Sequence, residues 1–329
     1  MDWRSDVIHC HDWHTGLVPN WLKTTYREDP FFRDSRSLFT IHNIAYQGLF
    51  SRDILAITGV SDQASFKPVL GEIVIFMARG IIFADKVNTV SERYATEIRI
   101  PELGERLDSF LRDLGEDLHG ILNGIDNDLY DPATDPDLLL NCDIESLADK
   151  AVNKRALQNE AGLEPDPRRP LCGFIARISH QKDMGLLEAT LPAVIRAGGQ
   201  FILLGTGDPH YGNVFRKLAA AYPADCCARI TFDAALAQRM YAGLDFMLIP
   251  SRYEPCGLTQ MISMRYRAVP IMRETGGLAD TVKNFDPATG AGTGFSFRAC
   301  NSLDFMEGAP GRSSYTDARM SLVTLCGGA

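Results

Sequence analysis

What this 329-residue chain lacks narrows it before anything it contains. No uninterrupted apolar run approaches the ~20 residues of a membrane-spanning helix, so no membrane role is expected. The opening residues, Met1-Asp2-Trp3-Arg4-Ser5-Asp6, hold no apolar core of a secretory leader. No block of clustered Lys and Arg occurs. The net charge of −9, from 33 basic and 42 acidic residues, opposes binding to a phosphate backbone. Eight cysteines are scattered without a C-x-x-C pair, and the adjacent Cys226 and Cys227 are badly placed to bridge each other. Free thiols in a reducing compartment are therefore expected. Short-period repeats and low-complexity tracts are absent too. What remains is an ordinary globular composition, 45% hydrophobic and 23% charged, long enough for two domains.

The densest signal runs from Phe246 to Val282. The apolar run Phe246-Met247-Leu248-Ile249 stops at Pro250, and Glu254-Pro255-Cys256-Gly257 follows. Leu258, Met261, Ile262 and Tyr266 keep helical spacing. Val269-Pro270-Ile271-Met272 is a short buried strand, and Thr275-Gly276-Gly277-Leu278 opens another helix. Polar and glycine-rich loops thus fall at the carboxyl ends of strands, where open parallel sheets bind ligands. Free N–H groups at the helix starting near Gly257 suit an anion, and Glu254 at its mouth suits a hydroxyl-rich group.

The stretch upstream has the same rhythm. Leu171–Ala176 is a buried strand followed by Arg177-Ile178-Ser179-His180-Gln181-Lys182 and a helix from Met184 to Ala197. Arg and Lys here would clamp a diphosphate, although an exposed pair of cations is more often a solvated loop. The strand Gln200–Leu204 ends in Gly205-Thr206-Gly207-Asp208. That is only part of a dinucleotide fingerprint: the third glycine is misplaced and the ribose-binding acid is missing. An NAD-dependent oxidoreductase is therefore the weaker rival.

In the first half, Val7–His11 is a strand entering Asp12-Trp13-His14-Thr15-Gly16. Ser37–Ile41 is a second strand, entering His42-Asn43-Ile44-Ala45-Tyr46-Gln47-Gly48. Three histidines within six residues invite a metal, but no ligand set follows at metal spacing, and no metal site is expected. His42 at a strand end reads equally as a structural cap and as a functional group. Residues 71–84 read as one apolar helix. Lys86–Ser91 is a third strand, with Ser91 capping a helix over Glu92–Glu97. Leu118–Asp126 is a strand running into an Asn123-Gly124 turn, and Ala148–Glu160 a helix. Gly162–Pro170, with three prolines, is the best linker. The expected domains are 1–161 and 171–300, joined by 162–170 and followed by an irregular, poorly ordered tail at 301–329.

Taken in order, these motifs resemble the bacterial glycogen synthases and plant starch synthases. The resemblance rests on His9-x-His11-Asp12-Trp13, Asn123-Gly124-Ile125-Asp126, Arg177 with Gln181-Lys182, Gly205-Thr206-Gly207-Asp208-Pro209, Glu254-Pro255-Cys256-Gly257-Leu258-Thr259-Gln260 and Thr275-Gly276-Gly277-Leu278. It covers roughly residues 5–298. It implies an α/β fold of two Rossmann-like domains facing a cleft (glycosyltransferase B type), with the first domain incomplete. The Lys-x-Gly-Gly-Leu loop that opens full-length members has no counterpart before Val7, and their closing helices have none either, so the chain resembles a member truncated at both ends.

The resemblance implies transfer of glucose from ADP-glucose to the non-reducing end of an α-1,4-glucan, with retention. The nucleotide sugar is the donor and no cofactor is implied. The partners are ADP-glucose and α-glucan, with no nucleic acid or membrane, in a bacterial cytoplasm or, for a plant source, a plastid. On the matching positions Arg177 and Lys182 neutralise the leaving diphosphate, and Glu254 holds the glucose hydroxyls. His42 meets the sugar near its reacting carbon. Asp12, Asn43, Asn123, Gly205, Gly207, Cys256, Gly257, Leu258, Thr259, Thr275, Gly276 and Gly277 complete substrate binding. Cys256 is read as structural rather than nucleophilic, and no carboxylate pair with hydrolase geometry is evident. The chain departs from the family at Ile75 and Ala78, where members carry Asn and Lys on the side expected to face the ligand. It departs again at Asp183, where a glycine is usual and a carboxylate adds negative charge beside the phosphates. These departures support an alternative: an inactive fragment that at most binds ADP or ADP-glucose.

Overall fold

The computed structural model describes residues 3–60, 73–142, 147–302 and 304–305. The chain divides into two compact units, Met1–Asn123 and Gly124–Ala329.

The first unit runs β1 (Val7–His11), α1 (Leu17–Lys23), β2 (Arg36–Ile41), β3 (Leu49–Ser51), α2 (Ile54–Thr58), β4 (Ile73–Ile75), α3 (Phe76–Phe83), β5 (Lys86–Thr89), α4 (Glu92–Glu97), α5 (Asp108–Asp113) and β6 (Leu118–Gly120). Its main sheet has the order β1-β2-β5-β6 with every pair parallel. Cys10, Phe39, Ile41 and Val87 from the strands meet Met77, Ile81, Tyr94 and Ala95 from the helices in one core. Ser91 caps α4 as its position predicts, its hydroxyl oxygen accepting from the Tyr94 N–H at 3.0 Å.

The expected helix over 71–84 is shorter. Gly71 and Glu72 lie outside the described residues, and Ile73–Ile75 forms β4, an antiparallel partner of β3. Three consecutive β-branched side chains favour a strand over the first turn of a helix, and α3 begins only at Phe76. A second expectation fails here as well. Ile75 and Ala78 do not face a ligand, because both side chains are fully buried in the core of this unit. The strand expected from Leu118 to Asp126 stops at Gly120.

The second unit comprises α6 (Leu147–Ala161), β7 (Leu171–Ile175), α7 (Met184–Arg196), β8 (Gln200–Leu204), α8 (Pro209–Ala221), β9 (Cys226–Arg229), α9 (Ala234–Gly243), β10 (Phe246–Ile249), α10 (Thr259–Arg265), β11 (Val269–Arg273), α11 (Gly276–Thr281) and β12 (Phe295–Phe297). Its six-stranded parallel sheet has the order β12-β11-β10-β7-β8-β9. The strand order reverses between β7 and β10, which makes that junction the topological switch point of a doubly wound sheet. Successive side chains of a strand point to opposite faces, and both faces are covered. Phe174, Phe201, Leu203, Phe246 and Leu248 pack with α7 and α8 on one side. Leu171, Ile202, Leu204, Met247 and Ile249 pack with α6, α9, α10 and α11 on the other. Two covered faces explain why these strands read as unbroken apolar runs.

The unit boundary falls at Asn123–Gly124 rather than at 162–170. The reason is the anchoring of α6. Leu157 and Leu163 belong to a core of the second unit. The buried Lys154 ammonium is 2.6 Å from the Asp245 carboxylate, and it donates to the carbonyls of Arg169 (2.7 Å) and Pro167 (3.2 Å). The Asp245 carboxylate also takes the Leu171 N–H that starts β7. Residues 162–170 are therefore a loop on the second unit's own surface. The expected tail at 301–329 also begins with packed structure: Phe305 is fully buried with its ring against Phe297. The remainder of that tail lies outside the described residues.

Candidate functional site

Two loops of the second unit, one after β7 and one after β10, flank the switch point. The β7 loop carries Arg177 and then a single 3-10 turn, His180–Lys182. The β10 loop is stitched to it: the Arg252 N–H donates to the Gln181 carbonyl at 2.8 Å, and the Gln181 amide to the Tyr253 carbonyl at 3.2 Å. This brings the Lys182 ammonium into an ion pair with the Glu254 carboxylate, which also accepts from the Ser251 hydroxyl at 2.9 Å. Glu254 is buried, and the Lys182 side chain keeps 18% of its surface. The pair lines a pocket of about 60 Å³ with Gly257, Leu258 and Thr259.

The loop after β11 closes against the same segment. Gly276 has φ +45°, and a Cβ there would lie 1.9 Å from the Glu254 carbonyl oxygen, so no other residue fits. The Gly277 N–H donates to the Glu254 carbonyl at 3.1 Å. Gly277 also backs onto the backbone of Cys256, a buried residue. Thr275 is buried at the N-terminus of α11. The Gln260 amide ties the carbonyls of Cys256 (3.0 Å) and Gly257 (2.9 Å) to the Thr281 hydroxyl (3.0 Å). The first intrahelical bond of α10 is Ile262 N–H to Leu258 O, so the N–H groups before it are left for other partners.

Arg177 lines a neighbouring cavity of about 550 Å³ with Gly205 and Thr206 from the β8 loop. Gly207 continues that loop at φ +150°, and a Cβ there would lie 2.0 Å from the Ile178 carbonyl oxygen. Tyr130, Asp137, Phe232 and Tyr241 form much of the remaining wall. Phe232 is 86% exposed, a large apolar face held open at the cavity rim. Burial raises the pKa of the Tyr241 hydroxyl, which therefore stays protonated. Asp183, the replaced glycine, sits at φ +48°, the left-handed conformation that explains why glycine suits the position. Its buried carboxylate pairs with the Arg252 guanidinium at 3.1 Å, so its negative charge is met by a cation.

In the first unit three expected residues meet at the ends of β1 and β2. The Asp12 carboxylate accepts the backbone N–H groups of His42 (2.8 Å) and Asn43 (3.4 Å), from a strained φ of +53°. The Asn43 side chain accepts the Ala45 N–H at 3.0 Å. His11 Nδ1 lies 2.9 Å from His42 Nε2. Asn123, the last residue of this unit, follows β6 in irregular backbone. Among the described residues no group of three or more His, Cys, Asp or Glu side chains is arranged to hold a metal.

The expected residues thus form two sets. Twelve fall in the second unit, gathered on the β7, β8, β10 and β11 loops, while His42, Asp12, Asn43 and Asn123 fall in the first. Sequence reasoning missed Ser251, Phe232, Tyr130, Asp137 and Tyr241. Ser251 stands three residues before Glu254 and was discoverable. The cavity wall was not, because Tyr130 and Asp137 reach it from a loop far away in sequence.

A profile of the family described as "Starch synthase catalytic domain" matches residues 1–113. The chain is 46% identical over 310 residues to a glycogen synthase of Thermotoga maritima, and 44% identical over 310 residues to one of Desulforamulus reducens. In each case the match covers 93% of this chain but 64% of the relative, so the chain spans less than two thirds of their length. The fold superposes on the catalytic domain of starch synthase IV from Arabidopsis thaliana bound to ADP and acarbose. The TM-score is 0.89 at 36% identity, covering 99% of this chain and 69% of that one. The α/β fold of the glycosyltransferase B type is thereby established for the chain.

Proposed function

Because this chain belongs to the glycogen and starch synthase family, we propose that it transfers glucose from ADP-glucose to the non-reducing end of an α-1,4-glucan with retention. The observation that carries the proposal is the Lys182–Glu254 pair at the switch point, enclosed by the β10 and β11 loops. In the reaction the bond from the sugar's anomeric carbon to the diphosphate oxygen breaks. A bond to the glucan hydroxyl forms on the same face, and the hydroxyl proton passes to the departing diphosphate. Negative charge grows on that diphosphate, and Arg177 and Lys182 are the cations at the β7 loop able to meet it. The N–H groups in the first turn of α10, which have no partner within the helix, add neutral donors. The cavity beside Arg177, with the exposed face of Phe232, suits the nucleoside. Glu254, held rigid by Lys182 and Ser251, takes the sugar hydroxyls, and Gly205, Gly207, Cys256, Leu258, Thr259, Thr275, Gly276 and Gly277 shape the surrounding backbone. In the first unit His42, braced by Asp12 and next to Asn43, contacts the transferred sugar, with Asn123 as a further contact. The donor is already activated, so the reaction calls for no cofactor. The cytoplasm of a bacterium is its natural setting.

The starch synthase IV catalytic domain was solved bound to ADP and acarbose, a nucleoside diphosphate and an oligosaccharide, which supports ADP over UDP and glucan as acceptor. The test is calorimetric titration with ADP and with UDP, followed by glucan elongation from ADP-glucose. Micromolar ADP affinity lost in Arg177→Ala and Lys182→Ala, with those variants still folded, is the expected result. A folded protein that binds neither nucleotide overturns the proposal. ADP binding without elongation favours the alternative of a chain that holds the donor and does not transfer it.

A further inference from the structure

The backbone around His42 is fixed from three sides. Asp12 takes its N–H, the Tyr94 hydroxyl takes the Ile44 N–H at 3.1 Å, and the Asn43 side chain takes the Ala45 N–H. None of these bonds fixes the imidazole ring. The ring is met by His11, whose Nδ1 stands 2.9 Å from His42 Nε2, with the ring centroids 5.2 Å apart. His11 is set in turn by its own strand. His9 lies two residues earlier on the same face of β1, its ring 4.0 Å from that of His11.

His9 is locked to the sheet. The Thr40 hydroxyl donates to the Asn88 side-chain oxygen at 2.6 Å, which leaves its lone pair to accept from His9 Nε2–H at 2.7 Å. Burial, then the neighbouring His11 and His42, lower the pKa of His9, so it is neutral with its proton on Nε2. The order Asn88, Thr40, His9, His11, His42 is thus a continuous path from the buried sheet to the ring at the strand end.

We propose that His11 is a positioning residue for His42: it occupies Nε2, so that His42 offers a ligand only Nδ1. A nitrogen–nitrogen contact at 2.9 Å is a hydrogen bond with one hydrogen between the rings; two N–H groups or two lone pairs there would repel. Whichever ring donates, His42 Nε2 is spent and the ring plane is fixed. Metal-bound imidazoles show the same logic, where the partner of one ring nitrogen sets what the other can do. The functional consequence rests on the reading that His42 meets the transferred sugar.

The test has a spectroscopic arm that does not depend on activity. In uniformly 15N-labelled protein, a through-hydrogen-bond coupling between His11 Nδ1 and His42 Nε2 is expected in the wild type and absent in His11→Ala. His11→Asn places an amide near the position of Nδ1 and should hold the ring without that coupling. In elongation assays His11→Ala should lower kcat by about tenfold or more, because the ring is no longer oriented. KM for ADP-glucose should change little, and His11→Asn should recover most of the loss. Absence of the coupling in folded wild-type protein overturns the proposal. So does a His11→Ala enzyme with unchanged kcat. If the wild type elongates no glucan, the proposed activity fails, and the coupling still decides the role of His11.

Discussion

Replacing Lys182 by Met tests how the Lys182–Glu254 pair is built. The substitution removes the ammonium and keeps most of the stem, leaving the Glu254 carboxylate with Ser251 as its neutral donor. Breaking a fully buried ion pair on one side costs ~3–5 kcal/mol, and breaking an exposed one ~0–1 kcal/mol. The Glu254 side chain is 8% exposed and that of Lys182 18%, so some water reaches the stranded carboxylate. A loss of about 2–3 kcal/mol is expected, or roughly 5–10 °C in Tm for a unit of this size. Glu254→Gln should cost about 1 kcal/mol or less, because its amide oxygen still accepts from Ser251 and Lys182 can turn toward solvent. The double variant should then be more stable than the sum of the singles predicts, by about 1–2 kcal/mol. Urea unfolding of all four proteins measures the cycle. Additivity within ~0.5 kcal/mol, or a costlier Glu254→Gln than Lys182→Met, would refute the reasoning.

Gly276→Ala should cost about 1–3 kcal/mol from backbone strain alone. It should also weaken ADP binding more than tenfold, since the added methyl must push away the Glu254 carbonyl; calorimetry and thermal melts report both. Lys154→Met should destabilise the second unit by about 2–3 kcal/mol, because it strands the partly exposed Asp245 carboxylate. In limited proteolysis of that variant, α6 should be released first. Asp85 has its pKa lowered: burial alone would raise it, but the bonds from Lys23 and Ser37 outweigh burial. The unfolded chain therefore binds the extra proton first, and the contribution is complete above the ordinary value of 3.8 and lost as pH falls below it. Asp85→Asn should flatten the stability profile below about pH 4. Burial pushes the thiols of Cys172 and Cys226 up to about 12. At pH 8 both should resist alkylation until the protein unfolds, as mass spectrometry of the labelled chain would show.

The second unit was largely legible in its sequence, and the reason is geometric. Its strands are covered on both faces, so each appears as an uninterrupted apolar run, and each run ends in a loop whose residues are sequence neighbours. Glu254, Gly257, Gly276 and Gly277 were therefore visible as one constellation before any coordinates. Pairing was less visible. Nothing in the order of residues says that Lys182 meets Glu254, because their approach depends on β7 and β10 being adjacent at the point where strand order reverses. The Arg177 cavity was hidden for the same reason: part of its wall comes from Tyr130 and Asp137, on a loop before α6.

The domain boundary shows where local composition misleads. Three prolines and several charges between Gly162 and Pro170 make a linker pattern, and prolines do disfavour regular structure there. Composition reports what the segment cannot form, not which unit it belongs to. Ownership is decided by partners distant in sequence: Leu157 and Leu163 in the core, and Lys154 on Asp245. Asp245 also accepts the first N–H of β7. One carboxylate thus fixes α6 and registers the central strand beside the switch point. The helix that composition assigned to the first domain therefore supports the strand from which Arg177 and Lys182 extend. Loosening it should disturb the geometry of both cations, so Lys154→Met should weaken ADP binding as well as stability.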